Sequence, residues 1–511
     1  MTQKATESAM TLSLARLDDV LTQFWSELAP NAAVAGEMAT WLTTDSREVS
    51  PGATFVAIPG VAADGRDYID KALDAGACLV LAEGPQDAPP RVDGRVLWLP
   101  GLRARLGELA RTLYQVPDGL ELIGVTGTNG KSSVTHYIAE LSRATGSDCG
   151  LIGTLGHGRP GALTQGMLTT PEPVALQRQL GELADQGITR VAMEVSSHAL
   201  EQERVAGCRF TAAVFTNLSR DHLDYHGSMI AYAASKAKLF KRPEISLAVV
   251  NGDDPLARLM LAGIGEGTRV LACGEDDAVS LRVLDVEPDV GGQRALIATP
   301  EGEKVVVLPL LGRFNLDNVL LAMATLYGLG VGIDELVTAA ATLTPVPGRM
   351  QALTRPGAPT VVIDYAHTPD ALDNALAALR AHLPGRGALW CLVGCGGDRD
   401  SGKRPLMAQA AAGQADRLVI TDDNPRSEDP DAIRQAMLAG LEGQARQQAW
   451  NIAGRGDAIA RTIAEASADD VILIAGKGHE AYQEIQGVRH DFSDLAEAEA
   501  ALDQRRQGRD Q

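Results

Sequence analysis

The chain is expected to fold as α/β in three domains. These are a small N-terminal α/β domain, a central phosphate-loop domain with a doubly wound, mainly parallel sheet, and a C-terminal Rossmann-like α/β domain. Three observations lead there. A length of 511 residues exceeds what one hydrophobic core serves. Short runs of branched apolar residues recur with helical patterns between them, as in strands buried on both faces. Polar or glycine-rich clusters follow those runs directly, where parallel strands present ligands at their C-terminal ends. The domains are expected at 1–99, 100–345 and 346–511, and Thr344-Pro-Val-Pro-Gly-Arg349 marks the second boundary with two prolines and a glycine.

Composition narrows the function. Hydrophobic content of 45% and charged content of 22% are those of a soluble globular protein. No run of about 18 apolar residues suggests membrane insertion, and the first residues lack the apolar core of an export signal. Six cysteines scattered along a long chain fit reduced thiols, so a cytoplasmic location is expected. A net charge of −20 argues against nucleic acid as a partner. If the ligands are anions, positive charge has to be gathered locally, and Lys131, Arg204, Arg349, Arg399, Lys403, Arg404, Arg426 and Lys477 can supply it.

The N-terminal region has no phosphate loop. Thr43-Thr44-Asp45-Ser46-Arg47, the run Ala53–Gly60 and Asp64-Gly-Arg66 read as strands and turns of a small domain. The central region opens with Leu120-Glu-Leu-Ile-Gly-Val-Thr126, a buried strand leading into Gly127-Thr128-Asn129-Gly130-Lys131, and Ser132-Ser133-Val-Thr-His then begins a helix. Strand, glycine turn and helix N-terminus make an anion cradle, because free backbone N–H groups and the positive end of the helix dipole converge. Lys131 adds a point charge and Ser132 a hydroxyl for a phosphate-bound Mg²⁺. The match to G-x-x-x-x-G-K-[ST] is loose, since Val125 stands where glycine is wanted.

Further strands are expected at Arg190–Glu194, Phe210–Asn217 and Leu247–Asn251. Glu194, at a strand end beside the loop, is better explained as a Mg²⁺ ligand than as a helix-capping acid. Asp221-His222-Leu-Asp224-Tyr-His226 has no common zinc spacing. Residues 280–310 look like a small antiparallel addition, and Asn315 and Asn318 open a helix one turn apart. Beyond the linker, strands at Thr360–Asp364, Leu389–Gly394, Arg417–Thr421 and Val471–Ala475 each end in a polar cluster. The glycine run 394–400 resembles a dinucleotide loop only loosely.

These clusters, in this order, resemble the Mur ligase family of peptidoglycan synthesis, in its diaminopimelate-adding form. The motifs are Gly-Thr-Asn-Gly-Lys at 127–131, Thr-Thr-Pro at 169–171, Met-Glu-Val-Ser-Ser-His at 193–198 and Asn-Leu-Ser-Arg-Asp-His-Leu-Asp-Tyr-His at 217–226. Asp-Tyr-Ala-His-Thr-Pro-Asp at 364–370, Gly-Gly-Asp-Arg-Asp at 396–400, Asp-Asn-Pro-Arg at 423–426 and Gly-Lys-Gly-His-Glu at 476–480 complete the set. The resemblance spans all three domains.

It implies an ATP-dependent ligase that joins meso-diaminopimelate to the D-glutamyl carboxylate of UDP-N-acetylmuramoyl-L-alanyl-D-glutamate through an acyl phosphate, working as a monomer. Gly127 to Ser133 resemble the ATP-phosphate contacts, with Lys131 catalytic, and Asn318, Arg349 and Asp364 those to adenine, phosphate and ribose. Glu194, His222 and Ser132 are similar to the ligands of two Mg²⁺ ions. Lys236 matches a lysine that takes up CO₂ as a carbamate and so becomes a further metal ligand, although Lys238 lies close by. Thr44, Ser46 and the Val61-Ala62-Ala63 turn resemble uridine-diphosphate contacts, and Thr169, Thr170, Ser196, Gln202 and Arg204 those to the sugar-peptide. Arg399, Asp423, Asn424, Pro425, Arg426, Gly476 and Glu480 match the diaminopimelate set.

Arg426 is expected to select diaminopimelate over lysine, because a guanidinium can clamp the extra carboxylate bidentately. Two departures from the family pattern are Ser132-Ser133, where Thr-Thr is commoner, and Leu168, where some relatives carry asparagine. The rival readings are a lysine-adding relative, a folylpolyglutamate synthetase-like ligase and a phosphate-loop ATPase that is no ligase. Shielding an acyl phosphate from water calls for domain closure, with a hinge at Pro345–Gly348.

Overall fold

The computed structural model describes residues 12–28, 39–60, 63–289, 291–383 and 385–509. Val61 and Ala62 therefore lie outside the described residues. Three large sheets follow one another along the chain. In the first, Ala39–Thr43, Ala53–Ala57, Leu79–Gly84 and Val96–Pro100 run parallel, with a short antiparallel strand at each edge.

The central sheet has eleven strands. Its parallel middle runs Cys149–Gly153, Arg190–Glu194, Glu121–Thr126, Phe210–Phe215, Leu247–Asn251, Arg269–Gly274. The expected antiparallel addition is a meander, Leu281–Asp289, Gly292–Thr299 and Gly302–Leu308, at one edge. A second antiparallel piece, Gly156–Arg159 with Ala162–Thr164, extends the other edge. Strand order decides where the chemistry gathers. Glu121–Thr126 lies between its two neighbours, with Glu194 opposite Val125 and Phe215 opposite Thr126. Glu194 therefore emerges on one flank of the phosphate loop and Thr216 to His222 on the other.

The third sheet repeats the device. Val471–Ala475 runs parallel between Thr360–Asp364 and Leu389–Val393, and Arg417–Ile420 pairs with the latter. The clusters 364–367, 394–399, 421–426 and 476–480 thus share one sheet edge. A hairpin, Tyr482–Ile485 with Val488–Asp491, folds back so that Arg426 N donates to Glu484 O at 3.0 Å. The linker is tight: Val346 is buried in the central core and Met350 in the C-terminal core.

Candidate active site

The loop begins where the central strand stops at Thr126, one residue past Val125. The position that demands glycine is therefore Gly127, not 125. Its φ is 148°, and a Cβ there would collide with Thr216 Oγ1. Gly130, with φ 84°, caps the helix Lys131–Ala144 without any side-chain hydrogen bond, so the first helical N–H groups remain free for an anion. A Cβ on Gly130 would come within 2.5 Å of Asn318 Oδ1, which shows how closely the helix bearing Asn318 approaches the loop.

The following strand's exit pins the loop. Asn129 N donates to Asn217 Oδ1 at 3.0 Å, Thr216 Oγ1 to Asn129 O at 2.5 Å, and Ser219 N to Thr128 Oγ1 at 3.1 Å. Thr128 Oγ1 also meets Tyr232 OH at 3.2 Å. Lys131 Nζ donates to Gly127 O at 3.0 Å and to Thr128 O at 2.8 Å. Lys236, 1% exposed, donates to the same Gly127 O at 2.7 Å and stands 4.5 Å above the Tyr232 ring. Burial, with the Lys131 charge adding, drives the Lys236 amine well below the usual lysine range.

Glu194 is buried, its carboxylate accepting from Thr154 N at 2.9 Å and Thr154 Oγ1 at 3.2 Å. His222 adopts a left-handed backbone conformation (φ 53°), with Nε2 3.4 Å from Asp221 Oδ2. His198 packs edge-on against it at 4.8 Å, and Tyr225 and His226 complete an aromatic cluster. Burial pushes His198 down to about 4, with His222 and His226 adding. Among the described residues no three His, Cys, Asp or Glu side chains converge as a metal centre. That follows from the expected donor set, in which an unmodified Lys236 is an amine and Ser132 a hydroxyl.

Thr169, Thr170, Ser196, Gln202 and Arg204 come together beside Glu194. Thr170 Oγ1 donates to Glu194 O at 2.9 Å and accepts from Ser196 N at 3.0 Å, and Thr169 Oγ1 lies 3.0 Å from Thr154 Oγ1. Arg204 donates to Gln202 Oε1 and to Thr170 O, and pairs with Glu172 at 3.1 Å. In the N-terminal domain Thr44 and Ser46 sit in the turn after Ala39–Thr43, and Gly60 N donates to Ala63 O at 2.9 Å.

From the third domain Arg349 reaches back to the loop helix, its Nη2 lying 3.4 Å from Ser132 Oγ and its guanidinium 4.5 Å over Tyr365. Its Nε is buried without a partner, as suits a group awaiting an anion. Asp364 binds backbone on both sides, accepting from Met350 N at 2.7 Å and Ala366 N at 2.8 Å. Farther along the edge lies a pocket with both charge signs. Asn424 Nδ2 donates to Glu480 Oε2 at 2.9 Å, and Arg426 Nη1 donates to Gly397 O at 2.7 Å. Asp423 Oδ1 is buried and unpartnered, and Asp423 Oδ2 would lie 3.3 Å from a Cβ on Gly476 (φ 113°). Pro425 is buried, whereas Arg399 lies on the exposed rim, where it donates to Asp398 O at 3.3 Å.

Thr216, Asn217, Asp221, Tyr232 and His198 belong to these clusters but were not singled out from sequence as site residues, and Lys477 was named only among the cations available to anionic ligands. Tyr232 carried a signal, standing one helical turn before Lys236.

Three family models match in chain order. The Mur ligase family, catalytic domain, matches residues 39–114, the Mur ligase middle domain 125–326, and the Mur ligase, glutamate ligase domain, 348–478. The UDP-N-acetylmuramoyl-L-alanyl-D-glutamate–2,6-diaminopimelate ligase of Ectopseudomonas mendocina is 50% identical over 480 residues, covering 93% of this chain and 97% of its own. The enzyme of the same name from Pseudomonas putida is 50% identical over 471 residues, covering 90% and 94%. A solved structure of a UDP-N-acetylmuramoyl-L-alanyl-D-glutamate–2,6-diaminopimelate ligase superposes with a TM-score of 0.67 at 37% identity, covering 97% of this chain and all of that one. With all three models matched and relatives shared over nearly their whole length, the chain belongs to the Mur ligase family.

Proposed function

We propose that this chain ligates meso-2,6-diaminopimelate to UDP-N-acetylmuramoyl-L-alanyl-D-glutamate with ATP as the energy source, in the cytoplasm. Every group the reading needs comes from one chain, so the chemistry asks for no second copy. The names of the relatives favour these substrates. One observation carries the reading: Arg349, from the domain with the two-signed pocket, reaches Ser132 at the head of the phosphate-loop helix. Nucleotide and acceptor amino acid therefore have a shared frontier.

A carboxylate cannot be displaced by an amine directly, because its oxygen leaves as a poor anion. Its oxygen instead attacks the γ-phosphorus of ATP, and the bond to the β-γ bridging oxygen breaks to release ADP. The neutral amine then adds to the acyl phosphate carbon, phosphate leaves with the C–O bonding pair, and the new amide nitrogen releases one proton to solvent. The first step brings two anions together. The loop N–H groups with Lys131 and Arg349 meet the phosphates, and Asn318 and Asp364 stand where the rest of the nucleotide would lie. Thr169, Thr170, Ser196, Gln202 and Arg204 hold the sugar-peptide, and Thr44, Ser46 and Ala63 the uridine end.

The donor set suits a hard divalent cation: a buried carboxylate, a hydroxyl and an imidazole. Ser132, Glu194, His222 and Lys236 as its carbamate would hold Mg²⁺, two ions, which when bound supply the neutralisation that lets the anions approach. The depressed basicity of Lys236 favours the free amine, the form that adds to CO₂ with loss of one proton. Arg426 takes the carboxylate of the distal amino-acid head, while Asp423, Asn424, Gly476 and Glu480 take its ammonium; Arg399 and Pro425 complete the wall. An assay of ADP release with UDP-N-acetylmuramoyl-L-alanyl-D-glutamate, offering diaminopimelate isomers and lysine in parallel, tests the assignment. Equal rates with lysine, or ADP release independent of any amino acid, would overturn it.

A further inference from the structure

The pocket's most buried group is not one that a ligand can touch. Lys477 is 0% exposed, and its ammonium is 3.0 Å from Asn424 Oδ1, 3.0 Å from Glu480 Oε2 and 3.6 Å from Asp423 Oδ1. The ring of Tyr482, 5.5 Å away, lies on another side. Asn424 Oδ1 also accepts from Glu484 N at 3.0 Å, so its amide has one orientation, with Nδ2 directed at Glu480 Oε2. One ammonium therefore organises two carboxylates and the amide that separates them.

The third contact has a different character. At 3.6 Å Lys477 balances the charge of Asp423 without hydrogen-bonding it, and Asp423 Oδ1 is left buried with no partner. An unsatisfied buried carboxylate oxygen costs free energy that an incoming ammonium would recover. Without a cation among them, Asp423 and Glu480 would repel each other across a dry pocket.

We propose that Lys477 is a positioning residue for the acceptor amino acid. It acts through Asn424, Glu480 and Asp423, fixing the two carboxylates where together they meet the ammonium of the distal, non-reacting amino-acid head. The inference rests on the function proposed above and adds the residue that sets the pocket's selectivity for an ammonium.

The test compares full-length wild type with Lys477→Met and Lys477→Gln, the latter keeping a donor but no charge. Two acceptors are used: diaminopimelate, and 2-aminopimelate, which keeps both carboxylates and the reacting amine but carries hydrogen in place of the distal amine. Wild type is expected to show a KM for 2-aminopimelate at least 30-fold above that for diaminopimelate. In both variants the KM for diaminopimelate rises at least 30-fold, the gap between the two acceptors shrinks to within threefold, and the KM for ATP stays within twofold. A purely structural lysine would raise every KM together or leave the gap intact, and either result overturns the proposal. Equal use of the two acceptors by wild type overturns it as well, even if neither variant folds. Wild type that releases no ADP with diaminopimelate sinks the functional reading itself, a distinct result.

Discussion

Lys131 and Lys236, 105 positions apart in sequence, donate to one and the same carbonyl oxygen, that of Gly127. Two lysine side chains on one neutral acceptor are an unstable grouping unless negative charge arrives. Burial lowers the basicity of both; the Lys131 charge adds to the effect at Lys236 and Arg349 to that at Lys131, while Glu194 and Asp221 oppose it at Lys131 and Asp221 at Lys236. The grouping favours the arrival of anions, and on the function proposed above these are phosphate at Lys131 and a carbamate carboxylate formed on Lys236.

From this follows the first prediction. Lys236→Arg keeps a positive charge but cannot form the carbamate, and Lys131→Met removes the phosphate contact. Each should lower kcat/KM by roughly 100-fold or more. Lys236→Arg should act mainly on kcat, and its activity should not respond to added bicarbonate. Lys131→Met should also raise the KM for ATP. Steady-state ADP release, with and without bicarbonate, separates the two.

Gly127→Ala places a methyl group against Thr216 Oγ1 at a φ of 148°, so the loop must shift away from its carbonyl's two lysines. We expect a loss of about 1–3 kcal/mol in stability and loss of ATP binding. Adding Thr216→Ala should return part of the stability but little of the binding, since Thr216 also holds Asn129 O. Thermal melts and nucleotide titration read the two effects independently.

Much of this site was legible in the sequence. The strand-loop-helix at 120–141 and the polar clusters after strands 190–194, 360–364 and 471–475 follow from apolar runs ending in glycine or charge. Other parts were hidden for physical reasons. The edge hairpin Gly156–Arg159 with Ala162–Thr164 is glycine-rich and offers no apolar alternation. Lys477 reads from the sequence as one of several cations available to anionic ligands; only strand order, which places 476–480 between 364–367 and 394–399, reveals it as buried. His198 needed the left-handed turn at His222 to bring the two rings together.

Acidity should loosen the third domain. Burial pushes His367 down to about 4, with the Lys403 charge adding, and pushes His479 down to about 4, with Arg349 and His136 adding. Unfolded histidine titrates near ~6.5, so between pH 6.5 and 4 the unfolded chain binds more protons than the folded one. Stability is therefore full above that window and falls as pH drops through it, by at most about 3 kcal/mol for each residue. Denaturant titrations at pH 7.5 and 5 should show the drop, and His367→Asn should flatten it. An unchanged slope in the variant would assign the effect elsewhere.

Arg426 should decide the acceptor. Its guanidinium, anchored to Gly397 O by one nitrogen, leaves the rest of its fork for a carboxylate. Arg426→Ala should raise the KM for diaminopimelate roughly 100-fold while leaving that for ATP within twofold. Lysine should be used no worse by the variant than by wild type, because no carboxylate sits at that end of it. A parallel loss with both amino acids would mean that the Arg426 side chain only props the loop at Gly397.

Closure of the domains, expected from the sequence with a hinge at Pro345–Gly348, would turn on a linker that is short and already under constraint. Val346 is committed to the central core and Met350 to the C-terminal core, so the turning has to occur over Pro347, Gly348 and Arg349. Gly348 has a φ of 67°, and a Cβ there would strike His479 N in the loop that carries Lys477 and Glu480. On the other side Glu140, in the phosphate-loop helix, holds Thr344 N at 3.1 Å and Thr344 Oγ1 at 2.8 Å. Helix, hinge and acceptor loop are thus in mechanical contact, and a shift of the helix on binding nucleotide has a direct route to the pocket. Wild type should contract in small-angle scattering when ATP and both substrates are replaced by non-reacting analogues. Gly348→Val, which stiffens the turn and displaces the 476–480 loop, should abolish the contraction and lower kcat while leaving ATP binding within threefold. Superimposable wild-type profiles with and without ligands would refute closure about this hinge.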